Sequence, residues 1–456
     1  MKTRIMCALL LLCGIATSRP CLAQTQAAND AIPTQLTAAI RADVAEKYAQ
    51  MLSERYVYVD KGAKMAAAIR ARLQAGAYDK IISPWEFARA LAADARAVVN
   101  DGHLNVFFSA TPAGGHGPMM MMRRGGQPSA QMLAESARAN GGIVDVRILD
   151  GNIGYMEVNI MALQDENGKA AIAAAFAFLR NTDAMILDLR GNTGGSGYAE
   201  LFMSYFSEGA PITGATAYWR EGDTTREQVF RTTDLGPLSY GAKKPLYVLT
   251  SHRTFSAAEG LAYEIQGFKR GTIVGETTGG GANPTNDGNT RLGYGFSAFV
   301  PTGYVVSAAT GTNWEGVGVK PDVDVPASEA LGKAWSLAAE KLAAIASDPA
   351  QQTLLSALAA ARLSGEPSLT AEQAAGVYGA PGKPQFEVVV KDGRLYYRQR
   401  QPYPADFALT AAGGDHYRLD EFPDDFSMTF FMRDGKVQMI PMLPGIHMST
   451  PVQEKQ

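Results

Sequence analysis

Apolar residues recur at helical spacing through the first hundred residues of the chain. In the first such stretch the apolar positions are four residues apart: Leu36, Ile40, Val44, Tyr48 and Leu52. This spacing predicts an amphipathic helix, and a second one follows around Ile69. A third opens with Ser83 as N-cap and Pro84 at the first helical position. We therefore predict an N-terminal helical domain over residues 24–105.

From residue 142 the pattern changes to short apolar runs that alternate with helical segments. The predicted strands are 143–149, 153–160, 184–189, 245–250 and 271–274. The predicted helices between and after them are 167–179, 198–206 and 257–266. Such alternation predicts a mostly parallel sheet covered by helices on its faces. The fold class is thus α/β, with a core over residues 106–346.

A Gly-rich stretch separates these two regions. Residues 106–141 are predicted to form a loop that contains the run Met119–Met122. Four consecutive methionines suit either an adaptable flap over a substrate or an ordinary loop without a direct role.

The C-terminal part of the chain has a different pattern again. Residues 347–366 are predicted as a helical linker, and residues 367–456 as a small antiparallel β domain. Asp392-Gly393 and Asp434-Gly435 each separate two strand-like runs, which is a strong hairpin signal.

The N-terminus is typical of an exported protein. Residues 1–23 combine the basic residues Lys2 and Arg4, an apolar run at 6–16 and a cleavage site after Ala23, which together indicate a secretory signal peptide. All three cysteines lie in this segment. The mature chain would therefore lack cysteine, which excludes thiol catalysis and cysteine metal sites. We expect a periplasmic or secreted protein.

The composition and charge of the chain limit the kinds of binding partner that we expect. Of the 456 residues, 46% are hydrophobic and 19% charged, which is typical of a soluble globular protein. Loss of the signal peptide would change the net charge from −3 to −6. We expect no nucleic-acid partner, because no basic patch is present, and no membrane span after the signal peptide. The oligomeric state stays open.

The segment Thr254–Glu259 (TFSAAE) carries the first candidate for chemistry. It follows the apolar run 245–250 and places Ser256 at the start of a predicted helix. A helix N-terminus favours developing negative charge, so Ser256 could be a nucleophile. The same residues also read as a capping box, in which Ser256 and Glu259 only stabilise the helix.

Four further segments could contribute chemistry: Asp101–His103 (DGH), Asp188–Gly195 (DLRGNTGG), Gly275–Gly281 (GETTGGG) and Gly311–Asp322 (GTNWEGVGVKPD). Each also has a purely structural interpretation. A lone histidine such as His103 is most often structural, glycine runs form turns, and Glu315 could be a surface acid. The histidines lack the paired spacing of a metal site, so we expect no metal.

In this order, the five segments closely resemble the serine peptidase superfamily of tail-specific (C-terminal processing) proteases, the tricorn core peptidase and interphotoreceptor retinoid-binding protein. The resemblance covers residues 35–326 and implies a crotonase/ClpP-like core that needs no cofactor. It implies that Ser256 is the nucleophile, His103 the general base and Glu315 the acid that orients the base. It also implies an oxyanion hole formed by the backbone N–H groups of Gly194, Gly195 and Ala257.

Two differences from the tail-specific proteases indicate which branch of this superfamily the chain resembles. Those proteases resemble this chain but use a lysine as base, and Gly280 stands where that lysine would fall. The resemblance is thus to the histidine-base branch, in which a serine often precedes the histidine, whereas this chain has Gly102. Glu315 would then reach His103 directly or through water. Only about 40 residues separate His103 from the first core strand, too few for a PDZ domain.

The leading prediction is an exported serine peptidase that acts on peptides or unfolded protein through an acyl-serine intermediate. Two alternatives stay open at this point. One is a non-catalytic carrier of hydrophobic ligands on the same scaffold, and the other is a hydrolase of small esters.

Overall fold

The computed structural model describes residues 32–110, 130–162, 165–195, 199–361, 363–380, 382–400, 404–421, 426–442 and 452–456. The predicted signal peptide and the run Met119–Met122 lie outside these residues, so the structure does not bear on either prediction.

The α-helices of the described residues are α1 (Ala38–Arg55), α2 (Val59–Gln74), α3 (Pro84–Val98), α4 (Ala130–Arg138), α5 (Glu166–Leu179), α6 (Ala199–Tyr205), α7 (Ala257–Gly267), α8 (Ala330–Ala343), α9 (Pro349–Ala360) and α10 (Ala371–Ala374). None of them is both long and apolar enough to cross a lipid bilayer.

The strands up to the end of the core are β1 (Asn105–Phe108), β2 (Ile143–Leu149), β3 (Ile153–Val158), β4 (Ala184–Asp188), β5 (Thr213–Glu221), β6 (Thr224–Arg231), β7 (Leu246–Thr250), β8 (Thr272–Gly275), β9 (Thr290–Gly293), β10 (Phe296–Phe299), β11 (Gly303–Ser307) and β12 (Val323–Asp324). The C-terminal strands are β13 (Gly376–Ala380), β14 (Lys383–Lys391), β15 (Arg394–Gln399), β16 (Ala405–Gly413), β17 (His416–Leu419), β18 (Ser427–Arg433), β19 (Lys436–Met442) and β20 (Gln453–Lys455).

The N-terminal helices form where the sequence predicts them. Ser83 accepts the N–H of Glu86 at the start of α3, and Pro84 is its first residue. The helices do not have a core of their own, however. Their apolar side chains pack in one cluster with Phe296 and Ala298 of the sheet β1-β10-β9.

Residues 106–141, predicted as a loop, contain regular structure at both ends. Strand β1 pairs antiparallel with β10, and helix α4 precedes the core. The prediction of a continuous loop was therefore wrong. Strand β1 has only four residues and its partner lies some 190 positions later, so no local pattern could reveal it.

A six-stranded sheet in the order β12-β8-β7-β4-β3-β2 forms the centre of the molecule. All neighbours are parallel except β3 and β2. Every residue of β4 and β7 is buried, which agrees with their continuous apolar sequences and with a sheet covered on both faces. One apolar cluster contains helices α5 to α7, and a second one contains α8 and α9. The predicted mixed α/β core is confirmed.

Helix α9 lies within the segment that we expected to be a helical linker. Its residues Leu354, Leu355 and Leu358 are buried in the same cluster as Ile153 and Tyr155 of the sheet. This segment is thus part of the core packing rather than a connection between independent units.

A second antiparallel sheet, in the order β11-β5-β6, has two strands that the sequence pattern did not reveal. Strand β6 (TTREQVFR) is largely exposed and polar, so it shows no alternation of apolar and polar residues. Its pairing with β5 supplies the structure that its own sequence does not indicate.

The C-terminal strands β13 to β20 close into an antiparallel barrel. Both predicted hairpins are present, as β14–β15 and β18–β19. Asp392 and Asp434 have φ of 49° and 52°, and the glycine after each is also left-handed, as a tight two-residue hairpin requires. The prediction of two hairpins was correct but incomplete, because the barrel closes through strands without a turn signal of this kind.

Candidate active site

Three neighbouring parallel strands end at one edge of the central sheet, and a candidate segment follows each of them. Strand β4 runs into the turn at Gly194, β7 into the turn at Ser256, and β8 into the glycine loop 275–281. Carboxyl ends of parallel strands lie at the same edge, so loops that are distant in sequence meet there.

Ser256 lies at the junction between strand β7 and helix α7. Its backbone has φ 54° and ψ −122°, which residues other than glycine rarely adopt. Such strain persists only where the surroundings fix it, and it is concentrated at functional sites. The turn thus presents the Ser256 side chain at a helix N-terminus, as the sequence predicted.

Glu259 fixes this turn to the glycine loop. Its Oε2 accepts the N–H groups of Ser256 and Gly281, both at 2.8 Å. Its Oε1 accepts the N–H of Gly280 at 2.6 Å and the hydroxyl of Thr278 at 2.5 Å. The sequence indicated only the contact with Ser256, as half of a capping box. The contacts with the loop were missed because nothing in the local pattern points to them.

Gly280 occupies the position at which we expected tail-specific proteases to carry a lysine. Its φ is +83°, and a β-carbon there would lie 3.1–3.2 Å from the backbone of residues 316–318. Among the described residues, no lysine lines the cavity at Ser256. A lysine base is therefore not provided by this part of the chain.

His103 lies against Ser256 although 153 residues separate them. Its Nε2 is 3.0 Å from the Oγ of Ser256, and its side chain is buried, with 3% exposure. The ring packs between Phe255 and Phe299, at centroid distances of 4.6 and 5.6 Å. Its backbone N–H donates to Oδ1 of Asp101 at 2.9 Å. Both the ring plane and the backbone of His103 are thus fixed.

Burial lowers the pKa of His103 to about 4, and the nearby Asp101 carboxylate opposes this effect. Desolvation disfavours the charged imidazolium. The ring is therefore neutral at pH 7, the state in which a nitrogen can accept a proton from a hydroxyl.

Asp101 is a residue of the site to which the sequence gave no role. Its Oδ2 accepts hydrogen bonds from the Tyr56 hydroxyl and the Asn283 amide, both at 2.9 Å. Since Oδ1 accepts the N–H of His103, Asp101 connects the histidine to the residue that follows helix α1 and to the loop after β8. The sequence did contain one signal for this role, because Asp101 lies two residues before His103.

Glu315 lies close to His103, but no hydrogen bond joins the two side chains. Its Oε2 accepts the N–H of Ala282 at 2.6 Å, while its buried Oε1 and the Nδ1 of His103 have no partner among the described residues. A ring nitrogen of His103 and one carboxylate oxygen each of Asp101 and Glu315 lie within 4.8 Å of one another. Burial, with Asp101 as the second cause, raises the pKa of Glu315 to about 8.

These three residues are also the candidate ligand set if the site holds a metal. Both oxygens of Asp101 and one oxygen of Glu315 already accept hydrogen bonds from protein groups. Only Nδ1 of His103 and Oε1 of Glu315 are unpaired, which is fewer than the three protein ligands of a typical catalytic zinc site.

The backbone donors predicted for an oxyanion hole differ in their availability. The N–H of Gly194 donates to the side chain of Asn192 at 2.9 Å, so Gly194 is not a free donor, contrary to the prediction. Asn192 in turn donates to the carbonyl of Val158, which fixes the turn. The N–H groups of Gly195 and Ala257 have no acceptor among the described residues, and both residues line the cavity at Ser256.

A cavity of about 470 Å³ opens beside Ser256 and His103. Apolar and aromatic side chains form most of its lining, among them Trp219, Phe230 and Trp314. Two carboxyl groups, those of Glu200 and Glu264, also line it. Strands β5 and β6 and helices α6 and α7 therefore enclose a pocket next to the candidate nucleophile.

Several known proteins are similar to this chain. Carboxyl-terminal-processing peptidase 2, chloroplastic, of Arabidopsis thaliana is 31% identical over 184 residues, which are 39% of this chain and 32% of the relative. The chain thus matches about a third of the length of that relative. The solved structure of the photosystem II D1 C-terminal processing protease is 17% identical with a TM-score of 0.40, over 64% of this chain and 95% of the other. Mature CPAF is 13% identical with a TM-score of 0.43, over 64% and 94% of the two chains.

Two family models match consecutive parts of the sequence. Residues 27–139 match the N-terminal domain of peptidase S41 in eukaryotic IRBP, and residues 152–325 match peptidase family S41. Together they cover more than half of the chain, and the second match contains Ser256 and Glu315. The chain belongs to peptidase family S41.

Proposed function

We propose that this chain is a serine peptidase that cleaves peptide bonds through an acyl intermediate on Ser256. One observation carries the proposal. The neutral, buried imidazole of His103 lies 3.0 Å from a serine hydroxyl at a strained helix N-terminus, at the mouth of a cavity. Nucleophile and base within hydrogen-bond distance are the defining geometry of this chemistry.

In the acylation step, Oγ of Ser256 attacks the carbonyl carbon of the scissile bond while Nε2 of His103 takes the hydroxyl proton. The carbonyl oxygen gains negative charge, which the N–H groups of Gly195 and Ala257 stabilise. The same imidazole then gives its proton to the leaving amine as the C–N bond breaks. Water attacks the resulting ester with His103 again as base, which releases the acid and restores Ser256.

Glu315 acts on His103 through a bridging water in this proposal. The unpaired Oε1 of Glu315 and the unpaired Nδ1 of His103 support it, because both are buried and both lack a partner. Because no hydrogen bond joins these two atoms directly, one water between them would satisfy both. The proposed role of Glu315 is thus to orient His103 rather than to react.

The substrate class that we propose is a peptide or an unfolded chain segment, and the place of action is outside the cytoplasm. The predicted cleavage after Ala23 supports export. Mass spectrometry of protein recovered from a bacterial periplasm or medium should find Gln24 as the first residue. The core itself is proposed to be of the crotonase/ClpP type, in keeping with its parallel sheet and its helices on both faces.

A fluorophosphonate probe tests the proposal directly. It should label the wild type at Ser256, and the Ser256→Ala and His103→Ala variants should lose both labelling and peptide hydrolysis while remaining folded. Ser356→Ala is the matched control, because Ser356 is exposed on helix α9. Full peptide hydrolysis by Ser256→Ala would contradict the proposal.

The same experiment separates the two alternatives. Tight binding of an apolar dye by a protein that the probe does not label would favour a non-catalytic carrier. Labelling of Ser256 together with hydrolysis of esters but of no peptide would favour a small-ester hydrolase, because an acyl-serine forms from either substrate.

A further inference from the structure

The cavity beside Ser256 contains an acidic pair that the proposed chemistry does not use. Glu264 is 3% exposed, it lines the cavity, and its Oε2 has no hydrogen-bond partner among the described residues. Glu200 lines the same cavity from the neighbouring helix α6. An unpaired buried carboxylate oxygen is costly, so that of Glu264 needs an explanation.

Glu264 lies on the same face of helix α7 as the candidate nucleophile. Ser256, Gly260 and Glu264 follow one another at intervals of four residues, and all three line the cavity. The helical rise places the backbones of Ser256 and Glu264 about 12 Å apart along the axis. The Glu264 carboxyl group lies against Gly214 of strand β5, where a β-carbon would be 2.6 Å from Oε2.

Gly260 lies between these two residues in the wall of the cavity. A β-carbon at position 260 would lie 3.2 Å from the ring of Trp314, so the ring packs close to the helix here and forms the adjoining part of the wall. An extended group that enters beside Ser256 would run past Gly260 and the Trp314 ring to reach Glu264. The pocket therefore has a length that suits a long, unbranched side chain.

The charges in the pocket are of one sign. No lysine or arginine is present among the described residues that line it. Burial, with Glu200 as the second cause, raises the pKa of Glu264 to about 8, and burial also raises the pKa of Glu200. A cation at hydrogen-bond distance would remove this penalty, because an opposite charge favours the ionised carboxylate.

The remaining lining suits the rest of such a side chain. Trp219, Phe230 and Trp314 offer aromatic surface for an aliphatic stem and for a planar guanidinium group. Trp219 donates its Nε1–H to Gln228 at 3.1 Å, which fixes the indole in the wall. Lysine and arginine are the side chains that combine an apolar stem with a terminal cation.

We propose that this cavity is a specificity pocket for a lysine or arginine side chain next to the scissile bond, with Glu264 as the main counter-charge and Glu200 as the second. This inference rests on the proposed serine peptidase function. An apolar side chain would leave Glu264 unpaired, and an acidic one would be repelled by both carboxyl groups.

Cleavage of a peptide library by the wild-type protein tests the pocket first. Sequencing of the products by mass spectrometry should show lysine or arginine enriched at one of the two positions that flank the cut. Two quenched peptides are then compared that differ only in arginine or its neutral isostere citrulline at that position. We expect kcat/KM to favour arginine roughly 10- to 100-fold, the range of a hydrogen-bonded charge pair.

The variants Glu264→Gln and Glu200→Gln assign the effect to residues. Glu264→Gln should bring the ratio of arginine to citrulline close to one, and Glu200→Gln should lower it less. Glu227→Gln is the matched control, since Glu227 lies on the opposite face of β6 from the cavity-lining Gln228 and is exposed. This variant should keep the wild-type ratio.

The two proposals fail in different ways. The pocket assignment is overturned if cleavage depends on Ser256 but shows no preference for a basic residue. It is also overturned if the preference persists in the Glu264→Gln/Glu200→Gln double variant. Either result leaves the peptidase proposal standing. Equal cleavage by the wild type and Ser256→Ala overturns the peptidase proposal and the pocket with it. Probe labelling of the double variant at Ser256 verifies that its site is folded.

Discussion

The ring of Phe255 lies directly against Gly102, so that a β-carbon at position 102 would approach Cζ of the ring to 3.0 Å. The same ring packs on His103 at a centroid distance of 4.6 Å and covers Gly281, where a β-carbon would come within 2.3 Å of it. A side chain at position 102 would thus come close against this ring. A residue larger than glycine before His103 would therefore crowd the ring that packs on the histidine.

We predict that Gly102→Ser lowers kcat/KM roughly 10- to 100-fold. The new side chain would crowd the Phe255 ring that packs on His103, and small misplacements of a catalytic base are costly in rate. Steady-state kinetics on a peptide substrate measures this, with thermal unfolding as the check on the fold. An increase in kcat/KM would show instead that the ring moves aside and that the serine joins the connection between His103 and Glu315.

Glu259→Gln should destabilise the protein by about 2 kcal/mol or more and also slow hydrolysis. The carboxylate accepts four hydrogen bonds, and the amide nitrogen of glutamine would leave buried donors facing another donor. Urea denaturation measures the free energy of unfolding. Unchanged stability would mean that the loop and the Ser256 turn do not depend on this carboxylate.

Glu264→Gln should remove a loss of stability that the wild type shows as the pH rises. The folded pKa of Glu264, about 8, exceeds its unfolded value, so the unfolded state loses its proton first as pH rises. The wild type should therefore lose stability relative to the variant between about pH 4.5 and 8, by up to about 1.4 kcal/mol per pH unit, and no more above pH 8. Denaturation at pH 5, 7 and 9 checks this. Parallel stability curves for the two proteins would contradict it.

In the pH profile of kcat/KM, the midpoint of the acid limb should lie well below pH 6.5. The folded pKa of His103, about 4, is lower than that of a free histidine, so the neutral base persists to lower pH. Rates of labelling by the fluorophosphonate between pH 4 and 8 report this limb without any peptide in the pocket. Circular dichroism at each pH excludes unfolding as its cause. A limb at or above pH 6.5 would show that the ring is solvated in the working enzyme.

Much of the core could be predicted from the sequence because its signals are local. A buried parallel strand such as Ala184–Asp188 needs a continuous apolar run, and a helix such as Pro84–Val98 carries its own cap. Both can be recognised without knowing what they pack against. Strands β1 and β6 could not, since one is very short and the other polar, and each forms only because a partner strand lies beside it.

The sequence by itself determined the helix-opening serine, the histidine and the absence of a lysine at Gly280. Only the tertiary structure decided how these groups are connected: that Gly194 gives its N–H to Asn192, that Glu259 binds the glycine loop, and that Glu264 shares a cavity with Ser256. The physical reason is that hydrogen bonds and burial depend on which loops meet at the edge of the parallel sheet. That meeting is a property of the strand order, which no local pattern of residues records.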